Sequence, residues 1–311
     1  MRAVTIPIHS LSRAPDDAIE YMPMPREMTT FQMPALPEPG PGNDIAGARD
    51  VLETFLSHFK AWLESGGEPP ALDLTDLAPD SLRVLNETLG EGEVAAIVDA
   101  GNLRPQAAAL RPLPPEGVKE TWDDPAFPCQ VRIQETVFSG VWREQHIDAD
   151  GVLLHDYLLA APIPPVLAAL ARERAEATLR GLELPVGAMN VPALIHELQD
   201  AMDRSGPATQ AHVINLTLLP LSPEDAAHID RVLDGGSVVI LSRGFGNCRI
   251  SSTVARNVWR VQYFNNMQTL ILNTIEVVEM PEVAVAARED LVETHARLVD
   301  LVQWMGESIT A

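Results

Sequence analysis

At 311 residues, 46% of them hydrophobic, the chain is long enough for two domains with their own cores, and its composition excludes collagen-like, wholly disordered and disulfide-scaffold classes. With 44 acids against 22 bases the formal charge is −22, which repels phosphate backbones and anionic lipid, argues against nucleic acid as a ligand and favours basic partners. Acidity of this kind also serves solubility.

Residues 1–44 read as an extended arm. Eight prolines from Pro7 to Pro41 forbid long helices and central strands, and Met22, Met24, Met28 and Met33 place flexible apolar side chains between them. Such an arm is expected to lie on a surface, either its own domain's or a partner's. The first residues lack the continuous apolar stretch of a signal peptide, and no apolar run approaches the ~18–20 residues needed to cross a bilayer, so the chain reads as cytoplasmic, with Cys129 and Cys248 as free thiols.

Beyond the arm, Val51–Glu64 has apolar residues at Leu52, Phe55, Phe59 and Leu63 and predicts an amphipathic helix. A short strand at 72–74, a helix after Pro79 and a strand at 94–98 follow. Arg104–Pro128 is Pro-rich and reads as a loop excursion. The segment Arg132–His146 is expected to form one or two strands broken near Gly140. Asp148–Gly151 reads as a turn into a strand at 153–159, and Pro164-Pro165 starts a helix.

The second half repeats this order. Arg132–His146 (RIQETVFSGVWREQH) aligns without a gap with Arg249–Tyr263 (RISSTVARNVWRVQY) at an offset of 117, with identities that include Val141/Val258, Trp142/Trp259, Arg143/Arg260 and Gln145/Gln262. Leu77–Val94 aligns with Leu221–Val238 at an offset of 144, and the difference is an insertion of 27 residues in the first copy. Val191–Asp203 is the counterpart of the first helix, and ALDLTDL (71–77) parallels VINLTLL (213–219). Ser222-Pro223-Glu224-Asp225 signals a capped helix start, Asn265–Gln268 a turn, Leu270–Val278 a strand, and Pro281 the start of a last helix carrying Ala284, Ala287, Leu291, Leu298, Val302 and Met305. The expected fold is α+β: a tandem duplication of an α/β unit with a mainly antiparallel sheet, related by a pseudo-twofold, with repeats at 45–187 and 188–311.

Signatures of catalysis are weak. Arg243-Gly244-Phe245-Gly246-Asn247-Cys248 lacks the third glycine of a dinucleotide fingerprint and precedes a strand, so a tight turn or bulge is expected there. The eight histidines show no metal-ligand spacing and are not preserved between copies; His146 aligns with Tyr263. Cys248 has an arginine beside it, which would lower its pKa, but no identifiable base, and the favoured reading is a small buried residue. Trp142 and Trp259 read as core. Arg143/Arg260 and Gln145/Gln262 share a strand face, which is either an exposed face paired to acids such as Glu276 or a polar face at the junction of the copies.

The run GFGNCRI, followed by NVWRVQYFN and LILNTIEVVEMPEVA, within Gly244–Ala284, resembles the C-terminal region of the HupH/HyaF/HoxQ family of [NiFe]-hydrogenase expression and maturation proteins, and Tyr21–Met28 (YMPMPREM) resembles the family's N-terminal arm. The resemblance implies a non-catalytic cytoplasmic chaperone without cofactor or metal. Its implied partner is the hydrogenase small-subunit precursor with its twin-arginine export signal, beside a thioredoxin-like HyaE/HoxO-type protein, with no nucleic acid and no membrane span. The alternative is a metal- or thiol-dependent factor in iron–sulfur cluster or cofactor assembly. Candidate client-binding residues are Met22, Met24 and Met28 of the arm and Gly244, Phe245, Gly246, Asn247, Arg249, Arg260 and Gln262 of the second copy. The first copy lacks the Gly-Phe-Gly-Asn turn: Phe127-Pro128-Cys129-Gln130 stands there instead.

Overall fold

The computed structural model describes residues 44–99, 130–173, 175–179, 183–206, 210–244 and 246–310. Met22, Met24, Met28 and Phe245, and the insertion around 104–128, lie outside these residues. The protein is α+β, with ten strands and six α-helices among the described residues, and the chain divides into two compact units.

Unit 1 contains α1 (Ile45–Ser65), β1 (Ala71–Asp73), α2 (Pro79–Leu89), β2 (Val94–Asp99), β3 (Gln130–Glu135), β4 (Val141–Ile147), β5 (Leu153–Ala160) and α6 (Arg288–Thr310). Its strands run in the order β1-β5-β4-β3-β2, and β1, β5, β4 and β3 pair antiparallel. Alternation along β4 sends Val141, Arg143 and Gln145 to one face and Trp142, Glu144 and His146 to the other. On the first face Leu52, Phe55 and Phe59 of α1, Val84 and Leu85 of α2 and Leu298 and Met305 of α6 pack with Val141 and Leu158 into one core.

Unit 2 contains α3 (Pro165–Glu173), α4 (Val191–Arg204), β6 (His212–Asn215), α5 (Pro223–Leu233), β7 (Val238–Ser242), β8 (Asn247–Ser252), β9 (Val258–Phe264) and β10 (Leu270–Val277). The order is β7-β8-β9-β10-β6, antiparallel throughout. Leu194 and Leu198 of α4 and Ile229 and Val232 of α5 pack on Val258, Ile275 and Val277. The Ser222 hydroxyl and the Asp225 carboxylate form the reciprocal capping box that starts α5.

Two features depart from the sequence reading. Pro281 opens only a short 3₁₀ turn, Glu282–Ala284, and the last helix begins at Arg288. That helix, expected in the second copy, belongs to unit 1, while α3, expected in the first, packs on β7 of unit 2. Amphipathic spacing tells which helix face is buried, not which sheet it meets.

Local hydrogen bonding repeats at aligned positions. Thr136 N–H donates to Val141 O and Phe138 N–H to the Thr136 hydroxyl; Thr253 with Val258, and Ala255 with Thr253, do the same. Asp148 Oδ1 accepts from the amides of residues 150 and 152, and Asn265 Oδ1 from those of 267 and 269. Gly92 and Gly236 are matched by close approach, since a Cβ would fall 2.1 Å from Thr136 O and 1.8 Å from Ser252 O.

Candidate functional site

The β8–β9 hairpin carries most of the described candidates. Its register sets Arg249 opposite Gln262 and Ser251 opposite Arg260, so the two arginines and Gln262 share the sheet face covered by α4 and α5. Arg260 donates through Nε to Asn273 Oδ1 of β10 at 3.1 Å and through Nη1 to Asp230 Oδ1 of α5. Arg143 is held in the same way: Nη2 donates to Asp156 Oδ2 of β5 at 2.6 Å, Nε to Oδ1 of the same carboxylate, and Nη1 to Asn86 Oδ1 of α2 at 2.6 Å. Gln145 also donates to Asp156 Oδ2.

Each guanidinium is thus clamped between a strand partner and a helix partner. The expected cross-strand pairing to Glu276 does not occur, because Glu276 lies opposite Trp259, on the other face. Both tryptophans are buried and hydrogen-bonded as core residues, Trp142 to Ala161 O and Trp259 to Glu279 O.

Gly244 and Gly246 are both exposed and stand between β7 and β8, where the sequence predicts a tight turn or bulge. Asn247 opens β8 opposite Phe264, and its amide donates to Asn265 O at 3.5 Å, which ties this end of β8 to the β9–β10 turn. The structure therefore brings Gly244, Gly246 and Asn247 to one end of the sheet and sets Arg249, Arg260 and Gln262 along one face of the hairpin.

Cys248 is buried on the opposite face, across from Tyr263. Burial pushes its thiol up to about 11, against a hydrogen bond from Tyr263, and burial likewise lifts the Tyr263 phenol to about 12 and raises Glu276. The neighbouring Arg249 side chain leaves from the other side of the strand, so its charge does not lower the thiol pKa as adjacency in sequence suggested. Among the described residues no group of three or more His, Cys, Asp or Glu is arranged to hold a metal ion, and no helix is long and apolar enough to cross a membrane.

Two further acids escaped sequence reasoning, and a third, Asp225, was evident only as part of a helix start. Asp225 is fully buried. Burial opposes its ionisation, but the backbone N–H groups of Ser222, Val191, Met189 and Asn190 outweigh it and hold the carboxyl at about 2, tying α5 to the start of α4. In unit 1 the acid is instead Asp44, the N-cap of α1, which accepts from the Ser81 hydroxyl of α2 and from Gly47 N–H and has a lowered pKa for those reasons. Glu135 is driven up to about 7 by burial; the Gly140 N–H opposes the rise, and Glu93 and Asp290 add to it. The offsets of 117 and 144 were the available signal for the arginine clamps, since they align Asp156 with Asn273 and Asn86 with Asp230.

Residues 188–305 match the family model of the HupH hydrogenase expression protein, C-terminal conserved region. The chain is 37% identical to the hydrogenase expression/formation protein HoxQ of Cupriavidus necator over 98% of this chain and 99% of that one. It is 33% identical to the hydrogenase-1 operon protein HyaF of Escherichia coli K12, over 94% and 93% respectively. A solved structure of the hydrogenase expression protein HupH from Thiobacillus denitrificans aligns with 35% of this chain and 92% of its own, at 27% identity and a TM-score of 0.34.

Proposed function

This chain belongs to the HupH family of hydrogenase expression/formation proteins, and from that premise we propose that it is a non-catalytic maturation chaperone of a [NiFe] uptake hydrogenase. In this reading it works in the cytoplasm and holds the small-subunit precursor, with its twin-arginine leader, until export, beside a thioredoxin-like HyaE/HoxO-type partner. The observation that carries the reading is the 37% identity with HoxQ across essentially the whole of both chains. The site geometry supports it: Arg143 and Arg260 are committed to internal clamps, and the Cys248 thiol, up at about 11, is a poor nucleophile at neutral pH. The acidic balance suits a basic client segment.

We also propose that the two units arose by tandem duplication of one α/β unit. The repeated clamps, threonine turns and Asx turns at aligned positions support that origin.

The test is affinity capture of the tagged chain from cells expressing the hydrogenase operon, with immunodetection of the small subunit. Recovery of the small subunit with its leader uncleaved is expected. Failure to recover it, or turnover of a small molecule by the isolated protein, would overturn the reading.

A further inference from the structure

The β1 edge of unit 1 and the β6 edge of unit 2 differ in a way that matters for recognition. In unit 1 the edge strand β1 has three residues and follows Pro69-Pro70; its exposed Asp73 folds back to accept from Thr75 N–H and the Thr75 hydroxyl. Proline and inward-bonded charge are the usual means of closing a strand edge to further pairing. In unit 2 the edge strand β6 has Asn215 where β1 has Asp73, accepting the same bond from Thr217 N–H but without the charge, and Val213, 53% exposed, where β1 has Ala71.

Leu216 N–H donates to Asn273 O, so alternation along the antiparallel ladder points the N–H and C=O of Val213 away from β10, toward solvent. The side chains around this edge are polarised. At the His212 end, His212 Nε2 meets Glu197 Oε1 of α4 at 2.9 Å, and the Glu197 carboxylate is half exposed. At the other end, the Thr217 hydroxyl accepts from the Asn273 backbone N–H, which ties the residue before Leu218 to β10 on the side of the β9–β10 turn. There Leu218 is 79% exposed, Met267 85% and Ile271 55%. The aligned residues of unit 1 for the first two are acids, Asp76 and Asp150. The β9–β10 turn, Asn265–Thr269, holds no charged residue, whereas its unit 1 counterpart has Asp148 and Asp150.

We propose that the β6 edge of unit 2 is a docking site for an extended polypeptide segment in which basic residues are followed by an apolar run. The segment adds a strand beside Val213, its basic end at Glu197 and its apolar end on Leu218, Met267 and Ile271. Main-chain bonds at this edge, unpaired among the described residues, supply affinity in any sequence, and the acidic-to-apolar gradient supplies the choice of occupant. The identification of that segment with the leader of a precursor rests on the function proposed above; the docking surface itself does not.

The experiment uses the full chain and a fluorescein-labelled synthetic peptide of two adjacent arginines followed by a Leu/Ala/Val run, read by anisotropy. Val213→Pro removes the outward N–H without touching the ladder to β10, and is expected to weaken the peptide about tenfold or more. Leu218→Asp with Met267→Asp installs the unit 1 residues at two exposed positions, where folding is insensitive, and is expected to weaken it by a similar factor. Glu197→Gln is expected to lower affinity about two- to threefold and to flatten its salt dependence. Unchanged affinity in both Val213→Pro and the double aspartate variant would overturn the proposal, as would absence of binding to the unmodified chain. A dimer of this chain dissolved by Val213→Pro would also overturn it, making a second copy the occupant. Capture of the small-subunit precursor equally by the parent and by Val213→Pro would overturn the surface and leave the chaperone reading standing, whereas capture by neither would overturn that reading.

Discussion

The two units solve one problem, the placing of an arginine on a sheet face under helices, with the acid and the amide exchanged. In unit 1 the acid is Asp156 on β5 and the amide Asn86 on α2; in unit 2 the acid is Asp230 on α5 and the amide Asn273 on β10. The helix-start contacts shift in parallel, with Asp44 against Ser81 in unit 1 and Asp225 on α5 in unit 2. Unit 2 has therefore gathered both acids onto α5, and unit 1 keeps them on a cap and a strand. The exposure follows: the Arg143 and Asp156 side chains are 5% and 2% accessible, those of Arg260 and Asp230 25% and 56%. One carboxylate serves as an internal support, and the other sits at the rim. Equal geometry does not mean equal energy, because an ion pair is worth what its surroundings make of it.

The sharpest way to break this contrast is to truncate each arginine. Arg143→Ala leaves the Asp156 charge buried and unpaired and is expected to cost about 3–5 kcal/mol in urea unfolding, whereas Arg260→Ala frees a solvated Asp230 and costs about 1 kcal/mol. Similar losses would remove the distinction between support and rim. A chemical exchange sharpens it. Asp156→Asn alone is expected to cost about 2–3 kcal/mol, and adding Asn86→Asp, which gives unit 1 the arrangement of unit 2, should recover at least about 1 kcal/mol of it in a double-mutant cycle.

How much of this was legible beforehand depends on the kind of signal. The helix at Val51–Glu64, the break at Gly140 and the turns at Asp148 and Asn265 follow from periodicity and turn chemistry, which act over a few residues, and each stands where the sequence placed it. The clamps were half legible: the aligned arginines were evident, but Asp156 and Asn86 lie 13 and 57 residues away from Arg143, and only the fold brings them to it. Membership of α6 in unit 1 was not legible at all, since Leu291, Leu298 and Met305 would serve any apolar groove of the right length. At Cys248 the favoured reading, a small buried residue, stands, and the neighbouring arginine does not lower its pKa because adjacent strand residues point to opposite faces.

Two smaller tests continue the comparison. At Glu135 unit 1 holds a buried carboxyl where unit 2 has Ser252, whose hydroxyl accepts from Val238 N–H. The Glu135 carboxyl titrates near 7 when folded and near 4.5 when unfolded. Between those values the folded state binds more protons, so stability falls as pH rises from about 4.5 to 7, and the penalty stays above 7. Glu135→Gln keeps an acceptor for Gly140 and is expected to raise stability by about 1–3 kcal/mol at pH 8 with little change at pH 4, read from unfolding midpoints at the two pH values. The least effect is expected at Asn257, at a bend the units share. Gly140 and Asn257 occupy aligned bends at φ of 76° and 56°. Asn257→Gly should shift stability by no more than about 0.5 kcal/mol, while Gly140→Ala, whose Cβ would fall 2.2 Å from Leu291 Cδ2, should cost about 1–3 kcal/mol in the same assay.

The place of α6 in the core with α1 and α2 has a temporal consequence. Synthesis proceeds from the amino end, so Phe55, Phe59 and Leu85 leave the ribosome long before Leu298 and Met305, with the whole of unit 2 translated in between. The earlier-made half must wait with part of its apolar surface unfilled while the later-made half has everything it needs to close first. Completion of unit 1 thus waits on α6, and a released chain truncated before Arg288 would carry every element of unit 2 and an open unit 1 core.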